Sequence, residues 1–254
     1  MHTDVDTAVC LRWRFEQVAH ATSDLVRVSQ RDGFTLALLA NAGDSGFSTF
    51  WPCGSRLLLD EFERAWDIGT GALDVRLGHA FAAASASFCD TSAGLLPPDP
   101  DIPGGFTYGT LLATATAGPR VEIAWVGGAQ AVLVHRDTAG ASTRPHTLLE
   151  RLREAGHGPP WNASVPLGVL TRTIGLSGTD DTGPDRARFE LLPGDTLVLL
   201  ENAGTRGPPV SLESVAAMVG AESDVDAVAS MLAAAAYENG QPPFAASAAL
   251  RRRP

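Results

Sequence analysis

The stretch Asn41 to Phe47, NAGDSGF, holds a Gly-Asp-Ser-Gly core at Gly43 to Gly46, a setting in which a serine hydroxyl can act as a nucleophile. A serine attacks a carbonyl only when a base takes its proton and a third group orients that base. His20 and Asp24 precede Ser45 in the order His, Asp, Ser. The residues around His20 lack the Thr-Ala-Ala-His setting of such a base, and too little chain lies upstream of Ser45 to build a barrel that would align the three. A strand-to-helix nucleophile elbow, Gly-x-Ser-x-Gly, fails as well, because Phe47 stands where its second glycine would be. The loop is therefore read as part of a different site.

Other clusters of reactive side chains are weaker. Asp180, Asp181 and Asp185 lie close together, but they lack the Asp-x-Asp-x-Asp-Gly spacing and closing glutamate of a calcium loop, so the segment reads as a solvated turn. His20, His79, His135, His146 and His157 form no HExxH motif and no i, i+4 pair on a helix, which gives a zinc site little support. Cys10, Cys53 and Cys89 are odd in number and without CxxC spacing, so neither a disulfide framework nor a zinc knuckle follows. Arg251 to Arg253 make a basic tail too short for a nucleic-acid or lipid patch and are read as solvated.

Composition sets outer bounds on function. The 254 residues are 44% hydrophobic, enough for a full core, and mean hydropathy is near zero. Nineteen basic residues face 29 acidic ones, for a net charge of −10, which argues against a nucleic-acid partner because binding a phosphate backbone rests on Lys and Arg. Every basic residue is arginine, which removes both the P-loop lysine and Schiff-base chemistry. No stretch approaches the ~20 apolar residues of a membrane span, and the start has no basic segment followed by an apolar run. The expectation is a protein of the reducing cytoplasm with no membrane partner.

The elements that must position these residues can be placed from periodicity. Alternation at Val9, Leu11, Trp13 and Phe15 predicts a first strand, and Phe34 to Ala40 a second, more buried one. Gly54 to Trp66 and Val75 to Cys89 have helical spacing without internal proline. Asp90 to Phe106, with four prolines and three glycines, reads as a loop. Gly109 to Ala117, Val121 to Val126 and Gln130 to Arg136, separated by Gly118-Pro119 and Gly127-Gly128, predict a β-meander. A short helix at Thr147 to Glu154 is followed by a loop-rich passage to Pro184 and a strand at Thr196 to Glu201. Helices near Leu212 to Val219 and Val225 to Tyr237 then precede a last strand, Phe244 to Leu250. The strands after the Pro-rich loop are too few to close a sheet alone and are expected to pair with those before it. Partial segregation of strands and helices predicts an α+β sandwich, residues 1–254 forming one domain.

The order of short motifs resembles the PPM (type 2C) family of metal-dependent serine/threonine phosphatases. Tyr108 to Asp137, YGTLLATATAGPRVEIAWVGGAQAVLVHRD, is similar to the family's G-T-T strand and V-G-D-S-R hairpin. STRPHTLLERLREAG from Ser142 is similar to its T-x-D-H helix start, and LGVLTRTIGL from Leu167 to its T-R-a-l-G string. FELLPGDTLVLLENAGTRG from Phe189 resembles its G-D-x-l-l-L-c-S-D-G segment. The resemblance implies a PPM-phosphatase-like four-layer sandwich, two antiparallel sheets flanked by helices, with carboxylates at its rim holding two metal ions that activate a water.

At those carboxylate positions the sequence departs from the pattern. The resemblance puts Ala19 where the family has a phosphate-binding arginine, Ser23 and Asp24 at its Glu-Asp pair, and Asn41 with Ala42 at its D-G-M-G-G loop. Gly128 replaces the aspartate of V-G-D-S-R, Pro145 that of T-x-D-H, and Asn202 that of S-D-G; the closing D-N position falls near Asn239 to Gln241, without an acid. Carboxylates crowded within a few ångströms repel by roughly 1 to 4 kcal/mol per pair and persist where a cation offsets this, so neutral replacements are what a scaffold without metals favours. Asp24, with Asp44 as a displaced substitute, are the remnant candidates for a metal ligand. His146 matches the histidine of T-x-D-H and is expected to cap or pack locally. The resemblance thus implies a catalytically impaired phosphatase-like protein, a pseudophosphatase serving as a binding or regulatory module, without a cofactor. Its expected partner is a protein, either a phosphoprotein or a component of a kinase pathway. The alternative it leaves is a divergent serine/threonine phosphatase using Mn²⁺ or Mg²⁺.

Overall fold

The computed structural model describes residues 5–13, 25–44, 49–50, 52–95, 107–158, 167–175, 183–201, 210–238 and 244–252. Eleven strands form two antiparallel sheets among these residues. One sheet has the order β2-β3-β5-β6-β9, built from β2 (Val26–Arg31), β3 (Phe34–Asp44), β5 (Thr107–Ala117), β6 (Arg120–Val126) and β9 (Asp185–Glu190), with the two-residue β4 (Thr49–Phe50) paired to β3. The other has the order β1-β11-β10-β7-β8, from β1 (Val5–Trp13), β11 (Phe244–Arg252), β10 (Thr196–Leu200), β7 (Gln130–His135) and β8 (Thr138–Ser142).

Among the described residues are five helices, four of which cover the outer faces: α1 (Pro52–Ile68) and α2 (Leu73–Leu95) on the first sheet, α4 (Leu212–Ala221) and α5 (Val225–Glu238) on the second; the short α3 (Leu148–Glu154) lies at one end. The period of two in each strand explains the layering. On β3, Leu36, Leu38, Ala40 and Ala42 point to α1 and α2, where they meet Phe62, Trp66, Phe81 and Phe88. The alternate residues Ala37 and Leu39 point inward to Leu112, Ile123, Leu197 and Leu199. On β10 the outward residues Val198 and Leu200 pack on Val215, Val219, Val228 and Leu232. The result is a four-layer α+β sandwich, as the resemblance implied.

The expected pairing across the Pro-rich loop holds, since β5 pairs with β3 and β11 with β1. The expected meander does not. β5 and β6 form a hairpin through Gly118-Pro119, but β7 leaves for the other sheet and pairs with β10. Gly127, at φ 112°, makes the departure possible, because only glycine takes that backbone without strain. The α2 helix runs on through Leu95, past the Asp90 where the loop was expected to start. β2, β8 and β9 were not foreseen. β8, TAGAS, has no large apolar side chain, and β9, DRARFE, is an edge strand whose charges alternate with Ala187 and Phe189 packed on the inter-sheet core.

Arg251 and Arg252 are not a solvated tail. They continue β11, and Arg251 donates to Thr196 Oγ1 and to the carbonyls of Val219, Glu222 and Ser223, tying the α4 C-terminus to the sheet. The Arg252 guanidinium donates to the Leu191 carbonyl.

Candidate functional site

The two sheets are joined at one end by the crossover Val126 to Gln130, and the register gathers several strand ends there. Asn41 near the end of β3 pairs with Thr110 near the start of β5, and Leu111 pairs with Val126 at the end of β6. Across the sandwich, Leu200 at the end of β10 pairs with Gln130 at the start of β7, so Glu201 leaves its strand beside the same crossover. Packing at this end is close. A Cβ on Gly127 would lie 2.3 Å from Thr110 Cβ and Cγ2, and Thr110 Oγ1 donates to the Asn41 carbonyl over 3.4 Å. The α1 helix approaches from outside, where the buried Ser55 hydroxyl accepts the Ala42 N–H at 2.9 Å.

The crossover is tied to the segment Thr143 to Thr147. The Gly127 N–H donates to His146 Nδ1 at 3.0 Å, and the His146 N–H donates back to the Gly127 carbonyl at 2.8 Å. Nδ1 therefore accepts, and the imidazole proton sits on Nε2, 3.1 Å from Asp185 Oδ2. Asp185 also accepts from Arg172 Nη1 at 2.5 Å, while Arg172 Nη2 bonds the Gly183 carbonyl. The imidazole stacks on Trp125 at 6.2 Å and 19°, and the indole N–H donates to the Arg144 carbonyl at 2.9 Å. Thr147 caps α3 by accepting the Glu150 N–H, and Leu148 N and Leu149 N bond the carbonyls of Val169 and Leu167, which holds the Arg172 segment against the helix start.

These contacts set the protonation states. Burial pushes the His146 pKa below its ordinary 6.5, outweighing the attraction of Asp185. Burial alone would raise Asp185, but the hydrogen bonds from His146 and Arg172, and then their charges, hold it below the usual carboxylate value. A neutral imidazole thus bridges the crossover and an ionised Asp185–Arg172 pair. Next to it, a cleft of about 540 Å³ lies between the edge strands β8 and β9, lined by Ser142, Asp185 and Ala187 together with Pro145 and residues of α3. A second cleft of about 400 Å³ lies on the other side of the same segment, against Val210 and the start of α4.

No protein-family profile and no curated protein sequence matches the chain. Solved structures do. The S. agalactiae serine/threonine phosphatase superposes with a TM-score of 0.77 at 19% identity, over 97% of this chain and 99% of that one. PstP from Mycobacterium tuberculosis gives 0.73 at 18% identity, over 98% and 99%; a PstP catalytic domain has also been solved in complex with two manganese ions. The PPM Ser-Thr phosphatase MsPP from Mycobacterium smegmatis gives 0.70 at 15% identity, over 97% of each chain. The chain has the PPM-phosphatase fold.

Within that fold the structure brings to the crossover end three of the positions that the resemblance aligns with the family's acids. Asn41 is buried at 4% exposure on β3, Gly128 is buried in the crossover itself, and Pro145 is buried in the segment that His146 pins to Gly127. Ala42 follows Asn41 on the opposite face, bonded to Ser55. Asp44 ends β3, paired through its backbone with Thr49 and Thr107. Ala19, Ser23, Asp24 and Asn202, Ser45, the Asn239 to Gln241 stretch, and the side chain of Asp44 lie outside the described residues.

The donors present at the described positions do not suit a PPM-type divalent centre. Asn41 offers a neutral amide, Gly128 no side chain, and Pro145 no polar side-chain atom, whereas Mg²⁺ and Mn²⁺ sites are built from carboxylate oxygens. Among the described residues no three His, Cys, Asp or Glu side chains come together as a metal-ligand group.

The sequence reading missed the Trp125–His146–Asp185–Arg172 cluster. Asp185 is not part of a solvated turn: it opens β9 and is paired on two sides. His146 packs as expected, but Thr147, not His146, caps the helix. The spacing of Asp185 from its partners, 39 residues from His146 and 13 from Arg172, leaves no local signal. Glu201 was also missed, although a carboxylate closing the fully buried strand Thr196–Leu200 is out of place in a core and could have been noticed.

Proposed function

We propose that this chain is a PPM-type phosphatase-like protein impaired in metal-dependent catalysis and serving as a binding or regulatory module. One observation carries the reading: the buried end of the sandwich presents Asn41, Gly128 and Pro145 where the resemblance calls for acids. A buried carboxylate set is stable only beside its cations, and these residues need none. The proposed partner is a protein bearing phosphate or belonging to a kinase pathway, met in the cytoplasm, with residues 1–254 acting as one domain. Among the described residues no helix is long and apolar enough to cross a membrane.

A second reading, a divergent Mn²⁺- or Mg²⁺-dependent serine/threonine phosphatase, is favoured by the carboxylates that do remain: Asp24 and Asp44 in the sequence, and Glu201 buried at the β10 end beside the crossover. Calorimetric titration with Mn²⁺ separates the two. The first reading expects no micromolar binding by the native chain and a gain in the combined Asn41→Asp, Gly128→Asp and Asn202→Asp variant. Micromolar binding by the native chain would favour the second reading, and no gain in the variant would count against the alignment of these positions.

A further inference from the structure

We infer that His146 is an acid-sensitive latch on the crossover: a second proton on its imidazole breaks the hydrogen bond from the Gly127 N–H and turns the ring toward Asp185, while the backbone around it stays pinned. Such a latch works in a binding module and in a divergent enzyme alike, so it goes beyond both readings of the chain's function. The placement of donors around the ring supplies the reason. Nδ1 accepts the Gly127 N–H at 3.0 Å, and the Nε2 proton faces Asp185 Oδ2 at 3.1 Å. A neutral imidazole, with one acceptor and one donor, satisfies both neighbours, whereas an imidazolium has two donors and no acceptor. The added proton would sit on Nδ1 and meet the Gly127 hydrogen head on. Gly127 is buried, and at φ 112° with Thr110 packed against it the amide has no room to turn to another acceptor.

The groups facing the ring give the motion its direction. Burial opposes a charge on the imidazole most strongly; Asp185 at the head of β9 draws one, Arg172 in the 167–175 segment repels it with Nη1 3.5 Å from Nε2, and Glu154 on α3 draws it weakly. Arg144 on the same segment, with Glu150 and Arg151 on α3, lines the adjoining cleft, while Trp125 on β6 and the crossover bring no titratable group. Asp185, although burial alone would raise it, is held below its usual 3.8 by His146 and Arg172, so it stays ionised while the ring titrates. An imidazolium here has an anion on its Nε2 side and a donor on its Nδ1 side. The cleft changes with it: Arg144, Arg151 and Arg172 balance Glu150, Glu154 and Asp185 while His146 is neutral, and a charged ring makes the lining net positive.

What stays in place is equally specified. The His146 N–H bonds the Gly127 carbonyl at 2.8 Å, the Thr171 N–H bonds the His146 carbonyl at 2.9 Å, and the Trp125 indole bonds the Arg144 carbonyl at 2.9 Å; none of these uses a titrating atom. The latch therefore acts on one side chain and one amide. The His146 side chain is 13% exposed and lines the cleft, which gives the ring room to move on the Asp185 side.

The test is NMR of the full chain labelled with nitrogen-15, titrated from neutral to mildly acid pH. At neutral pH the ring correlations of His146 are expected to place the proton on Nε2 alone. On acidification the protection of the Gly127 amide against hydrogen exchange, taken relative to its intrinsic rate, is expected to fall about tenfold, the scale of one hydrogen bond, with the midpoint of the His146 ring and below 6.5. The amides of His146 and Gly109, bonded to the carbonyls of Gly127 and Ile174, are expected to keep theirs. His146→Asn puts a non-titrating acceptor near the place of Nδ1 and should hold the Gly127 amide protected throughout, and Asp185→Asn should move the ring's midpoint further down by removing an attraction for the proton. If either variant fails to fold, the native titration decides alone. A neutral ring with its proton on Nδ1, a Gly127 amide whose protection is unchanged while the ring titrates, or a loss shared equally by Gly109 would overturn the inference.

Discussion

Replacing Gly127 by alanine tests the junction on which the site is built. Two penalties add at this position. An L-residue held at φ 112° is disfavoured by about 1–2 kcal/mol. The new Cβ would also meet Thr110 Cβ and Cγ2 at 2.3 Å, a contact the backbone must relieve at about 1–3 kcal/mol. Together they predict a loss of about 2–5 kcal/mol. Gly118→Ala is the control, because Gly118 at φ 59° has nothing within 4 Å of its would-be Cβ and bears only the backbone penalty. In urea denaturation, with a slope of about 3 kcal/mol per molar for a chain of this size, Gly127→Ala should lower the midpoint by about 1 M and Gly118→Ala by about half that or less. Thr110→Ala should not rescue Gly127→Ala, since it keeps the Cβ that clashes. Equal midpoints for Gly127→Ala and Gly118→Ala would refute the close approach of the crossover to β5 and, with it, the geometry that brings Asn41 and Gly128 to one end.

Four further outcomes follow from the structure. Arg76 is 7% exposed, donates to the Trp66 carbonyl and Asp32, and lies 4.4 Å over the Trp66 ring, so Arg76→Ala should destabilise by about 2–4 kcal/mol in the same assay, with Arg76→Lys recovering little. The lowered His146 pKa means the unfolded chain binds more protons, so this residue's contribution is full above pH 6.5 and declines as pH falls toward the folded value; His146→Gln should flatten melting temperature against pH there. Asp185, also lowered, acts in a separate window: its contribution is present above 3.8 and lost below, so an Asp185→Asn chain should differ from native least at the acid end. Asp195 is buried, accepts the Leu192 N–H and pairs with His135 at 2.5 Å; Asp195→Ala should cost about 1–3 kcal/mol by orphaning that N–H, as a denaturation midpoint would register.

The parts of the fold that were legible in the sequence are those whose apolar pattern is local. The Phe34 strand, the helix after Gly54 and the last strand show their periods within a few residues. β8 and β9 are edge strands, where one neighbour suffices and small or charged side chains are tolerated, so TAGAS and DRARFE carry little apolar signal. The meander reading failed at Gly127-Gly128 because a glycine pair marks a turn without saying which sheet receives the next strand. At the candidate site, motif order assigned Asn41, Gly128 and Pro145 to acid positions of the resembled family, and the structure gathers these three residues at the crossover end. His146, Arg172 and Asp185 meet only through tertiary structure, and periodicity has no means of pairing them.

The central claim is that the altered positions leave the PPM fold without metal-dependent turnover. Hydrolysis of a generic phosphate ester by the purified chain, with and without excess Mn²⁺ and beside an Asp24→Ala control, tests it most directly. The account predicts no turnover above the control with or without metal. Mn²⁺-dependent hydrolysis that Asp24→Ala abolishes would contradict it and establish a site rebuilt around Asp24.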